Sequence, residues 1–169
     1  MGAPNPVVHA VTEAARRASQ ADAARLLTST DAGLVVAAVA GSGPDWRQGE
    51  TVPADSEGVG YVVASAQPLS VAAPHPDGRP SLCVPCTLEG EPIGAIELLG
   101  RPGQDAFPIE ATEIAMLFGG VAAAALAAGD PAVAGASSPA ELAAGLAQLD
   151  ASDPARYASV ARAVNALLS

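Results

Sequence analysis

The residues able to carry chemistry are few, and they fall in four places. Cys83-Val-Pro-Cys86 has the C-x-x-C spelling of redox dithiols and of half a zinc site. His9 and His75 are the two imidazoles. A Ser-His-Asp or Cys-His triad would have to use one of them, and no G-x-S-x-G elbow is present. Asp45, Glu50, Asp55 and Glu57 gather carboxylates around Trp46 and Arg47, without the spacing of a calcium loop. All eight basic residues are Arg. The absence of Lys excludes both a P-loop lysine and a Schiff-base lysine.

Each of these places has a plain structural alternative. If residues 82–88 form a strand, cysteines three apart point to opposite faces, with Cα atoms about 10 Å apart and beyond disulfide reach. A structural zinc would need two further ligands at matching spacing, and the sequence has none. The thiols then serve as small buried hydrophobes. The four carboxylates read as a solvated acidic edge. Trp46 is a pocket wall, a partner anchor or sheet cover, and His9 belongs to the surface or to a dimer seam.

The composition narrows the setting. Half of the 169 residues are apolar and 15% are charged, so a disordered chain is excluded. The apolar half is mostly Ala and Val, with one Trp, two Tyr and two Phe. A net charge of −10 opposes binding to nucleic acid or to anionic membranes. The N-terminus lacks the basic and apolar regions of a signal peptide. The apolar run Val121–Ala128 is too short to span a bilayer. Two Cys in such a chain point to free thiols and a cytoplasmic protein.

The elements that must position these residues follow from spacing. Asn5-Pro6 is a helix start, and Val7, Val11, Ala14, Ala18 and Ala21 keep helical spacing as far as Leu26 and Leu27, predicting a helix over 7–27. Leu34–Val39 reads as a buried strand, Gly41-Ser-Gly-Pro44 as a hairpin turn, and Trp46–Val52 as its return strand. Ser56 can cap a helix from Glu57 to about Ala66. Strands follow at 69–72, 82–88 and 93–99, then a helix over 109–128 introduced by Phe107-Pro108. After Gly129 a small-residue linker leads to a capping box at Ser138-Pro139-Ala140-Glu141 and a helix burying Leu142, Leu146 and Leu149. Asp153-Pro154 starts another, with Tyr157, Val160, Val164 and Leu167 or Leu168 on one stripe.

Four phrases in this order resemble one family. Gly58-Val-Gly-Tyr-Val-Val-Ala-Ser-Ala-Gln-Pro-Leu-Ser-Val71 resembles the G-x-x-G-x-V-A-x-x-G-x-P-L-x-V segment of GAF domains. Ser81-Leu-Cys-Val-Pro-Cys86 is similar to their S-x-x-x-V-P-L strand, and Glu91-Pro-Ile-Gly-Ala-Ile-Glu-Leu98 to their G-x-x-I-G-V-L-x-L strand. Phe107 and the acidic, Ala-rich helix after it resemble the closing helix of the family. The likeness covers residues 7–128.

The resemblance implies an α+β fold: a central antiparallel sheet of five to six strands, the N-terminal and closing helices packed on one face, then a C-terminal helical pair. Residues 1–128 form the GAF-like domain, 129–138 a linker and 139–168 a helical hairpin. Members sense small molecules such as cyclic nucleotides, haem, tetrapyrroles, amino acids and oxoacids, or serve as dimerisation modules. Here the connection from Val71 to Leu82 is short, Lys is absent and aromatics are scarce, all of which disfavours a large planar ligand.

The implied pocket candidates are Trp46, Tyr61, His75 and Cys83. His75 lies in the region from which some haem-binding members draw their axial ligand. Ala14, Ala18, Gly119, Gly120, Ala123, Leu142, Leu146 and Tyr157 are the implied dimer or partner surface, with packing of the first helix on the last as the alternative for its small residues. The expectation is a non-enzymatic cytoplasmic regulatory module without cofactor or metal. It would bind a small ligand or form a homodimer, and pass its signal to a separate protein. The alternatives are a thiol or haem redox sensor and an enzyme of the free methionine sulfoxide reductase type. The several cysteines that such reductases use are not reproduced.

Overall fold

The computed structural model describes residues 5–72, 78–128 and 139–168. Helix α1, Pro6–Ala18, starts where the Asn5 side chain accepts hydrogen bonds from the backbone N–H groups of Val7 and Val8, at 3.0 and 3.5 Å. It buries Val8, Val11, Thr12, Ala14 and Ala15. Glu13 binds Arg16 and Arg17, both at 2.7 Å. The hydrogen bond from Arg16 leads in holding the Glu13 carboxyl down at about 2.

The helix ends nine residues short of the expected boundary, at Ala18. Gln20 adopts a left-handed φ of 55° and turns the chain into strand β1, Ala23–Thr30. Leu26 and Leu27, expected at the helix end, lie in that strand and are fully buried. Alanine prefers helix, yet β1 lies between two other strands, and pairing on both edges overrides that preference.

The sheet contains β1, β2 (Gly33–Gly41), β3 (Thr51–Val52), β4 (Leu69–Val71), β5 (Ser81–Leu88) and β6 (Glu91–Leu99). Its order is β3-β2-β1-β6-β5-β4, and every neighbouring pair is antiparallel. Only Thr51 and Val52 of the expected return strand pair with β2. Residues 44–50 instead form a loop, with the Trp46 N–H donating to the Pro44 carbonyl and the Glu50 N–H to that of Arg47. Its end returns to β2, where the Gly49 N–H donates to the Val36 carbonyl and the Val36 N–H to that of Glu50. Helix α2, Val59–Ser65, begins at Gly58 with no side-chain cap, so Ser56 is not its cap. The Ser56 carbonyl instead accepts from the Gly60 N–H.

Two apolar layers enclose the sheet. On one face α1 and α3 (Ile109–Ala128) meet Leu26, Leu82, Val84, Cys86, Ile96 and Leu98 around Phe118. On the other, α2 sets Val59 and Val62 against Leu27, Leu34, Val36, Cys83 and Ala95. Helix α3 is long and apolar enough to cross a membrane by length and composition. Its Ala115, Phe118, Ala122 and Ala123 are fully buried in the core, which accounts for that hydropathy.

The C-terminal helices α4 (Pro139–Ser152) and α5 (Pro154–Leu168) pack together, and α5 lies against α1 and α3. Ala163 of α5 is buried in the main core, so α5 docks on the domain itself. The expected linker 129–138, including Ser138, and the side chains of Leu142, Leu167 and Leu168 lie outside the described residues.

The small residues expected at a dimer seam divide in two. Ala14 and Ala123 are buried in the core and Ala18 is half-buried against it. A Cβ at Gly119 would run into the Pro85 carbonyl oxygen of β5, so Gly119 is consumed by the approach of α3 to the sheet. These four therefore serve packing within the chain, the alternative expected for them. Gly120, one residue on, faces open space. Gly119→Ala should lower stability by about 2 kcal/mol through overpacking. Gly120→Ala should raise it by about 0.5–1 kcal/mol through helix propensity. Urea unfolding of the two variants checks the contrast, and equal effects would contradict it.

Candidate functional site

The α2 face of the sheet carries one row of polar side chains. Arg25 on β1 lies opposite Val39 on one side and Glu97 of β6 on the other, and Glu97 lies opposite Cys83 of β5. Period-2 alternation explains the row. Leu26 and Ala24 turn to the helical face, so Arg25 must turn to the other. Likewise Ile96 and Leu98 turn to the helices and send Glu97 across to meet it.

The Arg25 Nε donates to Glu97 Oε2 at 2.6 Å, and Nη2 approaches the same oxygen at 2.6 Å. The two side chains are 12% and 11% exposed. A charge so deeply removed from water must be paired, and each is the other's partner. The Trp46 ring covers the guanidinium at 4.5 Å from its centroid, a cation–π contact that gives the 44–50 loop an anchor on the sheet.

Of the four expected pocket residues, Trp46 and Cys83 meet this pair from two sides. Trp46 does so from a loop rather than from the expected strand. Tyr61 is 53% exposed on α2. His75 lies outside the described residues. Arg25 and Glu97, which join the row together, were not anticipated. Their signal was a single charge inside an otherwise apolar buried run, at Arg25 before Leu26-Leu27 and at Glu97 within Ile93–Leu99.

Both cysteines are free and buried. Cys83 packs in the α2-side cluster and Cys86 in the helical-side core, on opposite faces as their spacing requires. Burial pushes the Cys83 thiol well up, the nearby Glu97 charge adding to it, and pushes the Cys86 thiol up to about 12. A thiol held neutral in this way is a poor nucleophile and a poor metal ligand. Among the described residues no three His, Cys, Asp or Glu side chains gather in a group able to hold a metal, the acidic set around Trp46 included. His9 is exposed on α1.

The raised thiols make a pH prediction. The folded protein keeps its Cys86 proton up to about 12, while the unfolded chain releases it near the ordinary value of 9.0. The contribution is therefore complete below pH 9 and is lost as pH rises toward 12. Urea midpoints should fall across that range, with a shallower fall in Cys86→Ala. An unchanged slope in the variant would contradict the assignment.

A sequence profile of the GAF domain matches residues 4–126. Among solved structures, the chain is similar to the GAF-B domain of DevS from Mycobacterium smegmatis, with 22% identity and a TM-score of 0.64 over 73% of this chain and 92% of that one. It is similar at 21% identity to the GAF domain of a phosphoenolpyruvate-protein phosphotransferase from Coxiella burnetii, with a TM-score of 0.63 over 75% of this chain and 84% of that one. A type II free methionine-R-sulfoxide reductase from Thermoplasma acidophilum is similar at 17% identity, with a TM-score of 0.60 over 73% and 92%. Among curated proteins none matches the chain.

Proposed function

The chain belongs to the GAF domain family, a family of regulatory and sensory modules, and from that membership we propose that it works without catalysis, through a protein contact made by its helical layer. One observation carries this reading. Among the described residues six large hydrophobic side chains are exposed, and five of them, Val7, Ile109, Met116, Val121 and Val164, lie on α1, α3 and α5. A concentration of exposed apolar side chains on one layer is the usual mark of a contact surface.

A second copy of this chain is the occupant that fits best. Met116, Gly120 and Ala124 follow at i, i+4 and i+8, forming one exposed stripe on α3 with Val121 beside it. Gly120, with nothing near its missing Cβ, allows another helix to approach closely. Of the expected partner residues on the C-terminal pair, Leu146 on α4 and Tyr157 on α5 are half-buried. They are the candidate contacts for a separate downstream protein.

The thiols support the non-catalytic reading. The chemistry of a sulfoxide reductase or a thiol redox sensor needs an accessible thiolate, and Cys83 and Cys86 are buried, protonated and on opposite faces. Free thiols also suit the reducing cytoplasm. Sedimentation velocity should show the mass of two chains at micromolar concentration. Met116→Glu combined with Val121→Glu should yield single folded chains with an unchanged circular dichroism spectrum. A wild-type protein that stays single at every concentration overturns the reading.

A further inference from the structure

A cleft of about 500 Å³ opens on the helical side of the molecule, between the end of α1 and the start of α3, away from the Arg25–Glu97 row. Its volume lies in the range of small-molecule sites. Ala18, Ala111 and Ile114 give it an apolar floor, and Arg101 and Glu110 bring opposite charges to its walls. Both charged residues are exposed, and neither forms an ion pair with the other or with any other described residue.

The walls are ordered without using those two charges. The 101–106 loop is held by its own hydrogen bonds, the Arg101 N–H donating to Gln104 Oε1 and Gln104 Nε2 to the Ala106 carbonyl. This positions the Arg101 backbone at the cleft without engaging its guanidinium. On the opposite wall α1 ends at Ser19, a lining residue 6% exposed whose hydroxyl has no hydrogen-bond partner. Glu110 stands in the first turn of α3, on the wall of the cleft.

A cation and an anion that share one cleft and do not neutralise each other complement a ligand with separated charges of its own. We propose that this cleft binds a small zwitterion of the amino-acid class with an apolar side chain. Its carboxylate pairs with Arg101, its ammonium faces Glu110, and its apolar body lies on Ala18, Ala111 and Ile114. The proposal goes beyond the contact surface proposed above and does not depend on it.

Backbone-amide NMR of the full chain tests it with L-phenylalanine and L-leucine as probes. Phenylpropionate serves as the carboxylate-only analogue and phenethylamine as the amine-only one. At millimolar concentration an amino acid should shift the amides of Ser19, Gln20, Arg101 and Glu110. Arg101→Gln should weaken its binding about tenfold and Glu110→Gln about threefold. Phenylpropionate binding should respond to Arg101→Gln and ignore Glu110→Gln. The proposal is overturned if neither amino acid shifts these amides, if the shifts fall on the α2 face instead, or if they survive unchanged in Arg101→Gln. Both variants replace exposed side chains, and matching unfolding midpoints will confirm that each is folded.

Discussion

Two opposite charges are held inside the sheet at its centre, and much of the architecture depends on their meeting. Arg25 and Glu97 stand on β1 and β6, the two central strands, where neither could remain charged alone. Their pairing singles out one register. A slip of either strand by one residue would send its charge into the layer occupied by Phe118, Ala115 and Ala122 and leave the other buried without a partner. The pair thus excludes the alternative alignments that an Ala- and Val-rich sheet would otherwise tolerate. It also gives Trp46 a cation to rest on, which fixes a loop whose own sequence is rich in turn formers.

The helical face solves a different problem with small side chains. Where β5 approaches α3 at Pro85, only glycine fits, and Gly119 stands there. Alanines at 14, 15, 115, 122 and 123 let α1 and α3 lie close to the sheet and to each other. Close approach recovers by dispersion what small side chains lack in area. The same helices leave Met116, Gly120, Val121 and Ala124 in water, so α3 is a core element on one side and a contact surface on the other.

How much of this could be read beforehand depends on how local the cause was. The bounds of α3, the strands expected at 82–88 and 93–99 and the opposite orientation of Cys83 and Cys86 follow from neighbouring residues, and all were legible. The strand β1 was not, because Ala21–Leu27 keeps helical spacing and only its position between β2 and β6 makes it extended. Trp46 has strand propensity, but Pro44 and the hydrogen bonds of its loop keep it out of the sheet. The Arg25–Glu97 pair joins residues 72 apart in sequence. Each was visible only as a lone charge in an apolar run, and which partner it would find is set by the fold.

The claim that this ion pair holds the sheet is tested most directly by a double-mutant cycle on urea unfolding, followed through the fluorescence of Trp46. Arg25→Met and Glu97→Leu each leave one buried charge without its partner, while the double variant leaves none. A coupling energy of about 2–3 kcal/mol is predicted, with the double variant more stable than either single one. Single effects that add to within about 0.5 kcal/mol would show instead that the two charges stabilise the sheet independently, and would contradict the account.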